Sequence, residues 1–200
     1  MQITVRQTET IDEVELVGML KEAAKEAVNT AEAACVRALE AETLEAFDNP
    51  TAWAQKAFAS FKARERDGEI DGLVFVKTAQ SDWLFERNIF GGELSAGDPG
   101  TSAKLGIPVP GPDGPLTAAG GLQRGAVGRV MNSGNGFMKD LPDGNVAVLE
   151  RSLDGGLDLI AIFVHDAHYA PRFDFFDVVE KIALNVLPAA YSSALSKRLE

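Results

Sequence analysis

Leu157-Asp158-Leu159-Ile160-Ala161-Ile162-Phe163-Val164 is the stretch on which the fold turns. From Leu159 onward it is unbroken apolar sequence rich in β-branched side chains. A run of this length bounded by turn residues suits a strand buried on both faces. Downstream, His165 to Ala170 lead to Pro171, whose ring fixes the backbone direction. Asp174 is then placed to cap a helix that opens at Phe175-Phe176. Val178, Val179, Ile182, Ala183 and Val186 continue it at helical spacing. Pro188 is expected to kink or interrupt that helix before Tyr191, Leu195 and Leu199.

Upstream of the strand, Leu153-Asp154-Gly155-Gly156 reads as a hairpin turn, and Val146 to Arg151 as its partner strand. Leu73 to Lys77 is a further strand, bounded by the turn signals Asp67-Gly68 and Asp71-Gly72. Trp83 to Arg87 fits a short helix. Trp53, Ala57, Phe58 and Phe61 fall at helical spacing behind Asn49-Pro50, although Thr51-Ala52-Trp53 also suits an extended segment.

The N-terminal part is helical in pattern. Thr10-Ile11-Asp12-Glu13 has the form of a capping box. Behind it, apolar residues recur at three and four over 11–47. That would be roughly 55 Å of helix, so it either breaks or leans on a neighbouring subunit. The alanine-rich stripe at 23–41 allows close helix–helix approach. Ile3-Thr4-Val5 reads as a short edge strand.

Residues 90–142 hold most of the glycines and prolines and read as an inserted arm. Segments this long without regular structure are usually functional or ordered by a partner. Within the arm, Leu105 to Val109 reads as a short edge strand and Leu122 to Met131 as a helical turn or two. The expected fold is therefore a single α+β domain over 1–200. Its antiparallel or mixed sheet has about four or five strands. The helices at 11–47 and 175–199 cover one face. The expected core is Phe75, Ile160, Ile162, Val164, Phe176, Val179 and Ile182.

The chain has 200 residues, 46% of them hydrophobic, enough for a sizeable core. Its formal charge is -11, from 30 acids and 19 bases. The excess lies toward both ends and nearly vanishes in the middle, with no basic stripe to grip a phosphate backbone. An acidic wall along which DNA slides without adhering is compatible with this balance. The single cysteine, Cys35, rules out an intrachain disulfide. Neither a signal peptide nor a membrane span is expected, which points to a protein made and folded in a reducing cytosol.

Catalytic signatures are sparse. His165, Asp166 and His168 form the only cluster of ligand-type side chains, and no third ligand accompanies the two histidines of the chain. A polar strand end accounts for them. The glycines at 121, 125 and 128 lack the strand and the Gly-Lys-Ser/Thr of a phosphate loop. Asp140, Asp143 and Asn145 lack calcium-loop spacing. No catalytic, cofactor or metal site is expected.

Taken in order, certain motifs form a recognisable set. They are Asp48-Asn49-Pro50-Thr51-Ala52-Trp53, Leu73 to Lys77, Trp83-Leu84-Phe85 with Gly91-Gly92, and Leu105-Gly106-Ile107-Pro108-Val109. The set continues with Leu116-Thr117-Ala118, Gln123-Arg124-Gly125, Leu141-Pro142-Asp143-Gly144 and Val148-Leu149-Glu150-Arg151. It closes on Tyr169-Ala170-Pro171-Arg172-Phe173-Asp174-Phe175. This set resembles the minor tail proteins of tailed phages and prophages, of the lambda Z-like tail-completion type. The Pro-Arg-Phe-Asp-Phe close is its most specific part. Thr51-Ala52-Trp53 stands where that family often has Thr-Pro followed by an aromatic residue.

The resemblance implies a virion structural protein of the neck or tail, with no cofactor and no enzymatic activity. It implies a homo-oligomeric ring, six-fold or twelve-fold, at the head–tail junction. Its partners would be other neck and tail proteins: terminator, connector or stopper, and tail tube. DNA would pass through the lumen without specific binding, and no membrane would be involved. The alternatives are a tail terminator or head–tail adaptor of related fold, and an enzyme or small-molecule binding domain built around His165, Asp166 and His168.

Overall fold

The computed structural model describes residues 12–98, 101–102 and 104–200, without the side chain of Trp83. The expected strand at 3–5, and Thr10 and Ile11 of the expected capping box, lie outside the described residues. In chain order the elements begin with α1 (Glu13–Ala46), α2 (Ala52–Gln55), β1 (Phe58–Arg66) and β2 (Glu69–Val76). Next come α3 (Thr78–Gln80), a π-helical turn (Ser81–Phe85), α4 (Glu86–Phe90), β3 (Gly92–Ser95) and β4 (Ile107–Pro110). The chain ends with α5 (Ala126–Asn132), β5 (Gly136–Asp140), β6 (Val146–Arg151), β7 (Leu157–Val164), β8 (Asp166–Tyr169) and α6 (Phe175–Leu199). The α+β class holds, with a long N-terminal helix, a C-terminal helix and antiparallel sheets.

These elements divide into two compact units. One takes the chain to Glu40, Phe58–Val76 and Phe175–Glu200; the other takes Ala41–Ala57 and Lys77–Asp174.

In the first unit α1, α6 and the β1–β2 hairpin pack together. Ala23, Ala27, Ala31, Cys35 and Leu39 recur every fourth residue along α1, and all are buried. Small side chains at that spacing let a neighbouring backbone come close; the Cys35 thiol reaches the Val179 carbonyl of α6 at 3.6 Å. Asp67 and Gly68, both with positive φ, make the tight two-residue turn of the hairpin. Between Phe61 and Arg64 the pairing shifts, so that two residues of β1 stand opposite Gly72 alone. Phe61 stacks on Phe75 across the strands, at 4.8 Å between ring centres.

The second unit holds an antiparallel sheet in the order β4-β7-β6-β5 and a separate pair, β3-β8. Pro108 and Pro110 sit on β4, an edge strand, where a missing N–H costs no internal ladder bond. Val130, Val148, Ile160, Ala161 and Phe163 form the core of this sheet, with Leu122 and Val127 against it. Phe47, Phe85 and Phe173 pack as an aromatic trio with ring centres 5.0–6.0 Å apart.

Several expectations need correcting. The strands number eight among the described residues and fall in three sheets, not one of four or five. Helix α6, and α1 as far as Glu40, belong to the unit of the β1–β2 hairpin, whereas the core of the four-stranded sheet includes Val130 of α5, with Val127 packed against it. Residues 58–61 are strand, not helix: Phe58 and Phe61 favour a pleated surface, and the Asp67-Gly68 turn folds them onto β2. Within 90–142 the expected edge strand and helical turns are present as β4 and α5, but the segment also carries β3 and β5, and its strands pair with β8, β7 and β6. Helix α6 runs unbroken through Pro188. The carbonyl deprived of a donor there belongs to Leu184, a 67% exposed position, where water can serve it. Phe176 is also exposed, and Phe75, Ile162, Val164, Val179 and Ile182 are half-buried; of the expected core only Ile160 is fully inside.

Candidate assembly surface

His165, Asp166 and His168 lie where β7 passes into β8. The His165 Nε2 is 3.0 Å from the Gly144 carbonyl oxygen, and Asp166 accepts a hydrogen bond from the Ser95 hydroxyl at 2.7 Å. His168 stands opposite Glu93 in the β3–β8 ladder. Each is exposed and tied to its local strand. Among the described residues no three His, Cys, Asp or Glu side chains gather to hold a metal ion.

The more developed feature of the second unit is the surroundings of Arg172. Its guanidinium lies over the Phe47 ring, 4.5 Å from the centre. Its Nε–H donates to Asn88 Oδ1 at 2.6 Å. The backbone N–H groups of Arg172 and Phe173 both donate to the Asn88 carbonyl. Asn88 is 4% exposed, and its own amide donates to the Leu84 carbonyl. Arg172 is therefore held by a buried side chain and a ring face, leaving its outer nitrogens open. Ion pairs among the described residues involve Lys21, Lys25, Lys197 and Arg198, and none involves Arg172. The guanidinium lines a cleft of about 530 Å3 together with Phe47, Asp48, Pro50, Trp53, Leu84 and Ala119. Trp53 comes from α2, whose N-terminus is capped by the Thr51 hydroxyl accepting the Ala54 N–H at 3.2 Å.

The first unit carries an apolar groove of about 450 Å3, bordered by Val28, Cys35, Leu73, Phe176, Val179 and Leu187. Its single acidic wall is Glu32, whose carboxylate accepts the Leu73 N–H at 2.7 Å. Burial pushes the Glu32 carboxyl above its ordinary range, and the Leu73 hydrogen bond opposes the rise. Burial, aided by the Glu32 charge, also raises the Cys35 thiol, which keeps it protonated and poorly nucleophilic. No helix among the described residues is long and apolar enough to cross a membrane.

The sequence drew attention to Arg172 only as part of a motif and gave no sign of its partner. Asn88 and Glu32 went unnoticed. The available signal for Glu32 was its place beside Ala31 on the buried stripe, where an acid needs a donor. Comparison with family models, with curated proteins and with solved structures returned no match to this chain.

Proposed function

We propose that this chain is a phage virion structural protein of the neck or tail, of the tail-completion type. It works as a ring subunit at the head–tail junction, with DNA passing through the lumen. Its partners are further copies of itself and the neighbouring terminator, connector or stopper, and tail-tube proteins. The observation that carries the reading is the Pro171-Arg172-Phe173 close. The most specific part of the motif set coincides with a built cluster, in which Phe173 is buried against Phe85 and Arg172 is held over Phe47. Exposed apolar side chains in both units, Trp53, Phe90 and Leu153 in one and Phe176 and Leu184 in the other, support a role in docking to other chains. The net charge of -11 suits a channel wall to which DNA must not adhere.

The test is deletion of this chain from the producing phage or prophage. Heads and tails should accumulate unjoined, and supplying the protein to the lysate should join them. A map of the intact neck should show its density around the channel. Infectious, fully joined particles without this polypeptide would refute the assignment. Density at the tail-tube end or against the head vertex would transfer it to a terminator or an adaptor.

A further inference from the structure

We propose that the β6–β7 turn of one copy, Leu153 with Asp154, seats in the Trp53/Arg172 cleft of the next copy. This rests on the ring reading and names the contact that would build the ring.

Leu153 is fully exposed, an unusual position for a leucine at the tip of a tight turn. The turn is stiff. Ser152 N–H donates to the Gly156 carbonyl, Gly155 N–H to the Ser152 carbonyl, and Gly156 N–H to Asp154 Oδ1 at 3.0 Å. The Ser152 hydroxyl adds a 2.7 Å bond to Asp158. The apolar tip is thus presented at little further cost in chain entropy. Beside it, the second carboxylate oxygen of Asp154 has no partner among the described residues.

The cleft offers an apolar wall to the leucine and the Arg172 guanidinium to the aspartate. Trp53, Leu84 and Pro50 supply apolar walls, Asp48 adds one carboxylate to the lining, and Arg172 supplies a fixed cation that makes no ion pair with Asp48 or any other of the described residues. An aspartate arriving beside a leucine would meet the guanidinium while the leucine covers the indole. Knob and cleft are different surfaces of the same chain. Their contact is therefore head-to-tail, the kind that closes into a ring when the rotation allows.

Leu153→Ser removes the knob, and Ala119→Trp fills the cleft. Leu153 is fully exposed and Ala119 is half-buried at the cleft wall, so neither change removes a core residue. Sedimentation velocity on the full chain should show concentration-dependent assembly of the parent. Each variant alone should associate at least tenfold more weakly. Their equimolar mixture should form a dimer and nothing larger, because only the Ala119→Trp knob and the Leu153→Ser cleft remain usable. A parent that assembles while both variants assemble equally well overturns this contact and leaves the ring reading standing. A mixture that stays monomeric, with the parent assembled, likewise overturns it. A parent that stays monomeric at every concentration and adds no ring density to purified particles overturns both.

Discussion

Glu32 on α1 accepts the Leu73 amide of β2 at 2.7 Å, through a side chain only 6% exposed. Gly72 makes this approach possible: a Cβ there would stand 2.0 Å from the Glu32 carboxylate oxygen. One turn earlier on the helix, Asn29 Oδ1 accepts the Ala63 N–H of β1 at 2.9 Å. Both strands of the hairpin are thus fastened to α1 by side-chain acceptors meeting backbone donors. The β1 bulge frees the Ala63 donor for this contact.

Because burial raises the Glu32 carboxyl, its contribution has a definite sign with pH. A raised folded-state value means stability that is fully present below the unfolded value and lost as pH rises through the folded one. Glu32→Gln keeps an acceptor for Leu73 and removes the buried charge. Its stability relative to the parent should therefore improve from pH 4 to pH 7. Glu32→Ala strands the Leu73 N–H and should cost about 1–3 kcal/mol. Glu26 and Glu65 act in the opposite direction, being lowered by Arg198 and Lys197 and by Lys21 respectively. The difference between variant and parent in urea melts isolates Glu32; a difference that does not change with pH would contradict its raised value.

The aromatic trio makes a second prediction. Phe173 is 1% exposed and touches both Phe47 and Phe85. Phe173→Ala should cost about 3–5 kcal/mol through lost burial and the cavity left behind. Phe176→Ala, at a 59% exposed ring, should cost much less. Thermal melts of the two variants would show the contrast, and equal losses would displace Phe173 from the core.

Two glycines separate backbone strain from crowding. Gly120 has φ +76° with open space around it, so alanine should cost about 1–2 kcal/mol for the left-handed backbone alone. Gly106 has φ +87°, and a Cβ there would stand 2.2 Å from the Val164 carbonyl oxygen. Alanine at Gly106 should add about 1–3 kcal/mol of overpacking to the same strain and loosen the edge strand β4. Hydrogen exchange at the Ile107 and Val109 amides, the two N–H groups of β4, would register the loosening. Similar stability losses at the two sites would mean that β4 does not approach β7 so closely.

The elements legible in the sequence were those specified by local chemistry. The 146–151 strand, the Leu153–Gly156 turn and the α1 periodicity needed only β-propensity, turn residues and helical spacing. Sheet membership was not legible, because an apolar run does not say which surface it will meet. The apolar face at 175–199 likewise does not name its partner; α6 falls in the unit of the β1–β2 hairpin. In the Arg172 cluster, Pro171-Arg172-Phe173 stood out, but Asn88 lies 84 residues away and has no local signature. Phe176 is expected in the core and Phe175 is not, yet the helix phase leaves Phe175 half-buried and Phe176 exposed.

The irregularity in β7 explains why Ile160 and Ile162 differ in burial and gives the sharpest test. Leu149 pairs with Leu159 and Val148 with Ala161, leaving Ile160 as an extra residue in the β7 strand. A bulge of this kind breaks the two-residue alternation, so adjacent side chains can turn to one face. Ile160, Ala161 and Phe163 accordingly share one core with Val148, while Ile162 is left half-buried on the other face. Strict alternation would have grouped Ile160 with Ile162 and made aspartate equally damaging at both. With the bulge, Ile160→Asp buries an unpaired charge at a 4% exposed site and should cost more than about 4 kcal/mol. Ile162→Asp should cost roughly 1–3 kcal/mol, because its partly exposed carboxylate keeps some water. Urea melts of the two proteins, side by side, decide between the patterns: matching midpoints would restore simple alternation, and a lower midpoint for Ile162→Asp would place the core on the opposite face of β7.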